Sequence, residues 1–378
     1  MTLIDGRCDD RFGGVREALA RSLERDDVGA SAAVYLDGEA VVDLWGGHAD
    51  EARTRPWERD TIVNVWSTTK TMTALCALIL ADRGELELSA PVARYWPEFA
   101  AAGKERVTVA HLLSHTAGLP SWEKPLPTEA LYDWEAATSA LAAQAPAWEP
   151  GTESGYHAFT QGYLVGEVIR RVTGASVGTF FAEQVAGPLG ADFHIGLAPE
   201  HDHRVAPVIP APMPTGEGPA MAAARTLLRH YGNPAFGPET ANTTAWRRAE
   251  VPAAGGHGNA RSVAAVQSVL ACGGEARGVR LLSEAGCEAV LREQSRGRDR
   301  CLGVPLAFGM GYGLNGAETP ISPNPRTCFW GGWGGSVVVV DLDARMTVAY
   351  TMNRMLGGTL GDDRGIGIVL AAYAALSS

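Results

Sequence analysis

The two ends of this chain carry the same kind of structure, and that limits the folds open to it. Near the start, Val15, Leu19 and Leu23 recur every four residues, which predicts an amphipathic helix over 11–26. Residues 31–36 and 39–45 read as two β-strands joined by the tight turn Asp37-Gly38, an antiparallel hairpin. Near the end, the Gly-rich stretch 330–336 feeds a strand over 337–341, a turn over 342–345, a second strand over 346–352 and a closing helix over 365–376. Strands and helices at both termini have to bury one another's apolar faces, so a single α/β domain of the α+β type is expected from the two ends together. The mostly helical middle is then an insertion. The expected division is 1–80 with 250–378 for the sheet-bearing domain and 81–249 for the inserted one.

Composition narrows the partners. The chain has 378 residues, 46% of them hydrophobic, enough for a sizeable core. A net charge of −11 with scattered Lys and Arg argues against nucleic acid or anionic membrane as a main partner. Residues 1–10 hold no apolar stretch of signal-peptide length, and nowhere is there an apolar run long enough to span a bilayer, so a cytoplasmic location is the default expectation. Six widely spaced cysteines without a C-x-x-C pair suggest neither zinc nor a disulfide framework, and read as reduced, mostly buried thiols.

The stretch Trp66-Ser67-Thr68-Thr69-Lys70 stands where an extended run (61–65) meets a helical one (71–80) that stops at Gly84. A serine there sits near a helix N-terminus, where free N–H groups favour developing negative charge. Ser67 and Lys70 are three apart and share a helix face, so the amine can take or relay the hydroxyl proton. The four-residue pattern is permissive and arises by chance in many chains, so the rest of the sequence has to decide.

Other patterns carry less. His111 and His115 have metal-ligand spacing but no third ligand, and read as packed or turn-capping residues; no metal site is expected. Gly174-x-Ser176-x-Gly178 matches a nucleophile elbow literally, but a helix rather than a strand precedes it, so Gly174 fits a C-cap and Ser176 an N-cap. Gly311-x-Gly313-x-x-Gly316 lacks the following helix of a dinucleotide site and reads as a closely packed strand. Gly155-Tyr156-His157 precedes a helix over 162–172; residues 199–260 read as long loops with one or two helices; further helices are expected over 262–272 and 284–293.

Taken together, Val65-Trp66-Ser67-Thr68-Thr69-Lys70, residues 112–120 (LLSHTAGLP), Pro150-Gly151 before Gly155-Tyr156-His157, and residues 330–336 (WGGWGGS) before Asn353-Arg354-Met355 resemble the serine β-lactamase and penicillin-binding protein superfamily. The similarity is greatest to class C β-lactamases and the related family VIII carboxylesterases, and it spans nearly the whole chain. It implies a β-lactamase-like fold, an antiparallel sheet flanked by helices with an all-helical domain alongside, and a cofactor-free site in the cleft between. Ser67 would be the nucleophile, Lys70 a desolvated amine that accepts its proton, and Tyr156 the partner base and acid, with Tyr163 a weaker candidate. The Ser67 and Trp333 backbone N–H groups would form the oxyanion hole, Trp333 on an edge strand.

Two departures from the β-lactamase pattern bear on substrate. Trp330-Gly331-Gly332 stands where those enzymes have Lys-Thr-Gly, and Tyr156-His157-Ala158 where they have Tyr-x-Asn. The cation and hydroxyl that would hold a β-lactam carboxylate are missing, as is the amide that would contact an acylamino side chain. Trp330 and Trp333 read as pocket walls, while His157 either adds a hydrogen bond near Tyr156 or is structural. The expectation is hydrolysis of neutral carboxylic esters with short to medium acyl chains through an acyl-Ser67 intermediate. Rival readings are acyl transfer to another acceptor, amide or β-lactam hydrolysis, and a catalytically silent ligand-binding module.

Overall fold

The computed structural model describes residues 4–212 and 232–377. Its strands, in chain order, begin with β1 (Ile4–Cys8), β2 (Gly29–Leu36), β3 (Glu39–Gly47) and β4 (Ile62–Asn64). Then come β5 (His194–Ile195), β6 (Val205–Ala206), β7 (Gly256–Gly258), β8 (Glu275–Ala276) and β9 (Val279–Arg280). The last six are β10 (Ser295–Arg298), β11 (Pro305–Phe308), β12 (Gly313–Leu314), β13 (Thr327–Gly331), β14 (Val337–Asp341) and β15 (Met346–Met352). Nine of these form one antiparallel sheet in the order β1-β3-β2-β15-β14-β13-β12-β11-β10. Both termini build it, as the end-to-end pattern requires.

The hairpin turns where Asp37 and Gly38 both take positive φ, 51° and 81°, the geometry that matches the right-handed twist of its strands. Met346↔Leu36 through Met352↔Ala30 then seat β15 beside β2, joining the C-terminal strands to the N-terminal hairpin. On one face the helices Gly13–Arg25 and Asp363–Ser377 cover Val34, Val42, Val339, Val348 and Tyr350. Beneath their joint Asp27 and Arg364 form a buried ion pair at 2.6 Å, with Tyr350 donating to Asp27 at 2.5 Å.

The other face carries the larger core. Helices Thr69–Asp82, Ala260–Ala271 and Thr160–Thr173 pack there with Met72, Leu75, Leu164, Val168, Val266 and Leu270. The inserted region is not all helix: β5 and β6 lie in it and pair with β7 and β4 in a small four-stranded sheet. Strands of two or three residues are too short to show periodicity in sequence. Part of the loop-rich region expected over 199–260 lies outside the described residues; the rest holds β6, β7 and the short helix Thr244–Arg248.

Candidate active site

Ser67 lies in a single 3-10 turn, Trp66–Thr68, that runs straight into the helix Thr69–Asp82. Trp66 takes φ 48°, an unfavourable value for a bulky residue and one tolerated when the surroundings over-determine it. The surroundings do so. The Val65 N–H donates to the Gly256 carbonyl at 2.9 Å, the Val65 carbonyl accepts from Ser336 Oγ at 2.8 Å, and the Trp66 ring packs against Trp246 and Trp333.

One turn on, Lys70 is 1% exposed. Its Nζ lies 2.7 Å from the Ala158 carbonyl, 3.0 Å from the Ala253 carbonyl and 3.2 Å from Ser67 Oγ. No carboxylate pairs with it among the described residues, and burial alone holds its pKa well below the ordinary lysine range. Two of its three polar neighbours can only accept, so a neutral amine would spend both N–H groups on them and turn its lone pair toward Ser67.

Tyr156 comes from the loop before the helix Thr160–Thr173, and its ring centroid is 4.7 Å from Lys70 Nζ. Burial raises the phenol above its usual pKa, while Ser67 and the Trp330 indole beside it act in the opposite direction. Tyr156, far from Ser67 and Lys70 in sequence, thus joins them in one contiguous cluster.

The beta-lactamase family model matches residues 15–373. The chain belongs to the beta-lactamase family. A crystal structure of a family VIII carboxylesterase superposes on it with a TM-score of 0.92 at 44% identity, covering 99% of this chain and 100% of that one. A penicillin-binding protein homolog from Caulobacter crescentus gives a TM-score of 0.91 at 38% identity, with 99% and 100% covered. The esterase/beta-lactamase LipL of Mycobacterium tuberculosis is 37% identical over 365 residues, 93% of this chain and 83% of that protein. The likeness to family VIII carboxylesterases first seen in short motifs therefore extends over the whole chain.

Within this beta-lactamase-family fold several expected site residues take other places. His157 is fully buried: its Nδ1 faces the Gly155 carbonyl at 2.6 Å, its Nε2 accepts from the Leu119 N–H at 3.0 Å, and burial pushes its pKa down to about 3. With both ring nitrogens committed to main chain, it is a structural histidine. Trp330 is 1% exposed among Tyr156, Leu306 and Phe308, so its ring is packing behind Tyr156 rather than a pocket wall. Trp333 is partly exposed and lies in the turn after β13, not on an edge strand; its ring meets Trp66 at 5.0 Å and Phe236 at 6.1 Å. Gly331 and Gly332 serve close approach. A Cβ on Gly332 would come within 2.3 Å of Ser336 Oγ and 2.4 Å of the Val65 carbonyl, and one on Gly331 within 2.2 Å of the Leu360 main chain. Tyr163 donates to the Leu131 carbonyl at 2.6 Å in a separate aromatic cluster with Trp122 and Trp134.

Two residues that sequence reasoning did not place in the site border Tyr156. His115, at φ 61°, sets its ring edge-on to Tyr156 with centroids 4.8 Å apart and accepts from the His157 N–H at 3.0 Å; burial keeps it neutral. Asp299 Oδ1 accepts from the Tyr156 N–H at 3.0 Å. Its only sequence signal is Asp followed by Gly303, a turn signature that says nothing of Tyr156. His111 caps its own helix through Thr108, and Ser176 caps another by accepting from the Thr179 N–H. No cluster of metal-ligating side chains occurs among the described residues.

Proposed function

We propose that this chain is a serine carboxylesterase working through an acyl-Ser67 intermediate. The observation that carries the reading is the surroundings of Lys70: two main-chain carbonyls and Ser67 Oγ around a buried amine with no counter-ion among the described residues. A neutral Lys70 accepts the Ser67 proton as Oγ attacks the ester carbonyl. The N–H groups of Ser67 and Trp333 face the developing oxyanion. Tyr156, protonated in its buried setting, gives its proton to the departing alkoxide and is resupplied from the Lys70 ammonium. In the second half water attacks the acyl-enzyme, loses its proton to the same Lys70–Tyr156 pair, and Ser67 leaves as the hydroxyl.

Three further points support neutral esters as the substrate class. Trp330 offers no cation to a substrate carboxylate, and the accessible aromatic faces belong to Trp333 and Phe236. The relatives at 44% and 37% identity are named as a carboxylesterase and an esterase/beta-lactamase. The site joins Ser67, Lys70 and Trp333 from the sheet-bearing part of the chain (1–80 with 250–378) to Tyr156 from the inserted part (81–249). The thiols of Cys8, Cys76, Cys272, Cys287 and Cys328, outside any disulfide, support a cytoplasmic setting.

The test is hydrolysis of short and medium p-nitrophenyl esters beside a chromogenic cephalosporin, by wild type and a folded Ser67→Ala variant. Ester turnover that disappears in the variant, with little cephalosporin cleavage, is the expected result. Rapid cephalosporin cleavage would overturn the substrate argument, and turnover only with an added alcohol acceptor would make the protein an acyltransferase.

A further inference from the structure

Behind Tyr156 the turn between β10 and β11 holds a fully buried carboxylate, Asp299. Its Oδ1 accepts three main-chain N–H groups. Two of them, Cys301 at 3.0 Å and Leu302 at 2.9 Å, close the turn on itself. The third is Tyr156 at 3.0 Å, 143 residues away in sequence. The same two segments are joined twice more: the Arg300 N–H donates to the Ser154 carbonyl at 2.9 Å, and the Arg300 guanidinium pairs with Glu153 at 2.9 Å.

Asp299 makes no ion pair among the described residues, and its Oδ2 is buried without a hydrogen-bond partner there. Burying a carboxylate without a counter-ion is costly. Closing a turn does not require that cost, since the amide oxygen of asparagine can accept the same two local bonds. What the carboxylate adds is a charge-assisted grip on the Tyr156 main chain and a negative charge close to its ring.

We propose that Asp299 is a positioning residue for the reaction, fixing the Tyr156 main chain so that the phenol faces Ser67 and setting a carboxylate behind its ring. The inference rests on the role of Tyr156 proposed above. The groups that face Tyr156 from the elements packed on it are Lys70 at 4.7 Å, His115 at 4.8 Å and Trp330 at 5.3 Å, with Ser67 at the hydroxyl, Asp299 on the main-chain side and the buried Cys301 thiol in the same cluster. His115 and the adjacent His157 are held neutral by burial, so Asp299 is the one anion of the set. Its charge adds to burial in raising the phenol's affinity for its proton.

The experiment is a double-mutant cycle on p-nitrophenyl butyrate hydrolysis with Asp299→Ala, Tyr156→Phe and the pair, each normalised to active sites titrated with a fluorophosphonate. Asp299→Ala is expected to lower kcat by about ten- to a hundredfold with KM within about threefold, the cost of a misplaced proton donor. In the Tyr156→Phe background it is expected to cost almost nothing more. Asp299→Asn, which keeps an acceptor oxygen, should recover most of kcat while its alkaline limit of kcat/KM moves to lower pH. Losses that multiply across the cycle, or an unmoved alkaline limit in Asp299→Asn, would overturn the proposal; the second reading stands even if the alanine variant does not fold. A fully active Tyr156→Phe would instead remove the role of Tyr156, and this inference with it.

Discussion

Lys70→Met removes the amine while keeping an unbranched side chain of similar length. Two effects of opposite sign follow at neutral pH. The Ala158 and Ala253 carbonyls lose their donor, at about 1–3 kcal/mol for each buried group left unpaired. Against that, folding no longer has to strip a proton from a lysine that the unfolded chain keeps charged. The two oppose each other, so the sign of the change at one pH decides nothing. The pH slope does. Lys70 has a folded pKa depressed by burial, so between that value and about 10.4 the unfolded chain binds one more proton than the native state. In that window wild-type stability rises with pH by up to about 1.4 kcal/mol per unit. Below the folded pKa both states are protonated and the slope disappears. Lys70→Met lacks this contribution, and the other titrating groups cancel in the comparison. Urea melts of both proteins from about pH 7 to 10 should therefore show the difference moving steadily in favour of wild type as pH rises. A difference that stays flat over this range would mean that Lys70 is as protonated in the fold as in the unfolded chain. The amine could then not be the base for Ser67.

Gly332→Ala should cut kcat sharply, because its Cβ would meet Ser336 Oγ at 2.3 Å and the Val65 carbonyl at 2.4 Å, pushing the turn that carries Trp333 away from Ser67; steady-state kinetics check it. Gly162→Ala would drive a Cβ to within 2.4 Å of the Ala253 N–H, displacing the segment whose carbonyl holds Lys70, so a loss of ester turnover is expected together with a lower Tm. Arg364→Met leaves Asp27 buried without its cation and should cost about 3–5 kcal/mol in chemical denaturation, since one partner of a buried pair is removed. Under native conditions a thiol reagent should titrate Cys8 first: the other five cysteines are buried, and urea should be needed to expose them.

The ends of the chain were legible because their apolar residues repeat with a period that survives burial on one face: Val15, Leu19 and Leu23 all lie in the core under the sheet, and Asp37-Gly38 supplies a turn that few other residues can make. β1 was not legible. It is an edge strand whose middle residues Asp5, Gly6 and Arg7 are exposed, so no alternation marks it. Within the site, Ser67 and Lys70 could be read together because helix geometry alone sets their separation. Tyr156 needed the family resemblance, and Asp299 could not be found at all, since the bond that matters crosses 143 residues. Trp330 was misplaced for a physical reason. A large apolar ring suggests a pocket wall, but successive side chains on a strand face opposite ways, so Phe329 enters the core under the terminal helices while Trp330 turns inward against Tyr156.

That correction changes what the Trp330 substitution means. A lysine at this position would place a positive charge beside the phenol and favour its ionised form, inviting Tyr156 to act as the base. An indole beside the phenol brings no charge. Burial and the Asp299 carboxylate both push the other way, toward a protonated phenol. Lys70, by contrast, is pushed toward the neutral amine by burial alone. The same replacement that withdraws a cation from the substrate's side of the site therefore also divides the proton work: the amine is suited to take the proton of Ser67, and the phenol to supply one to the leaving alkoxide. On this argument restoring a cation with Trp330→Lys should not simply add affinity for carboxylate-bearing substrates. It should also lower the alkaline limit of ester turnover, because the phenol would lose its proton at lower pH. An unchanged limit in a folded Trp330→Lys variant would refute the link between the two effects.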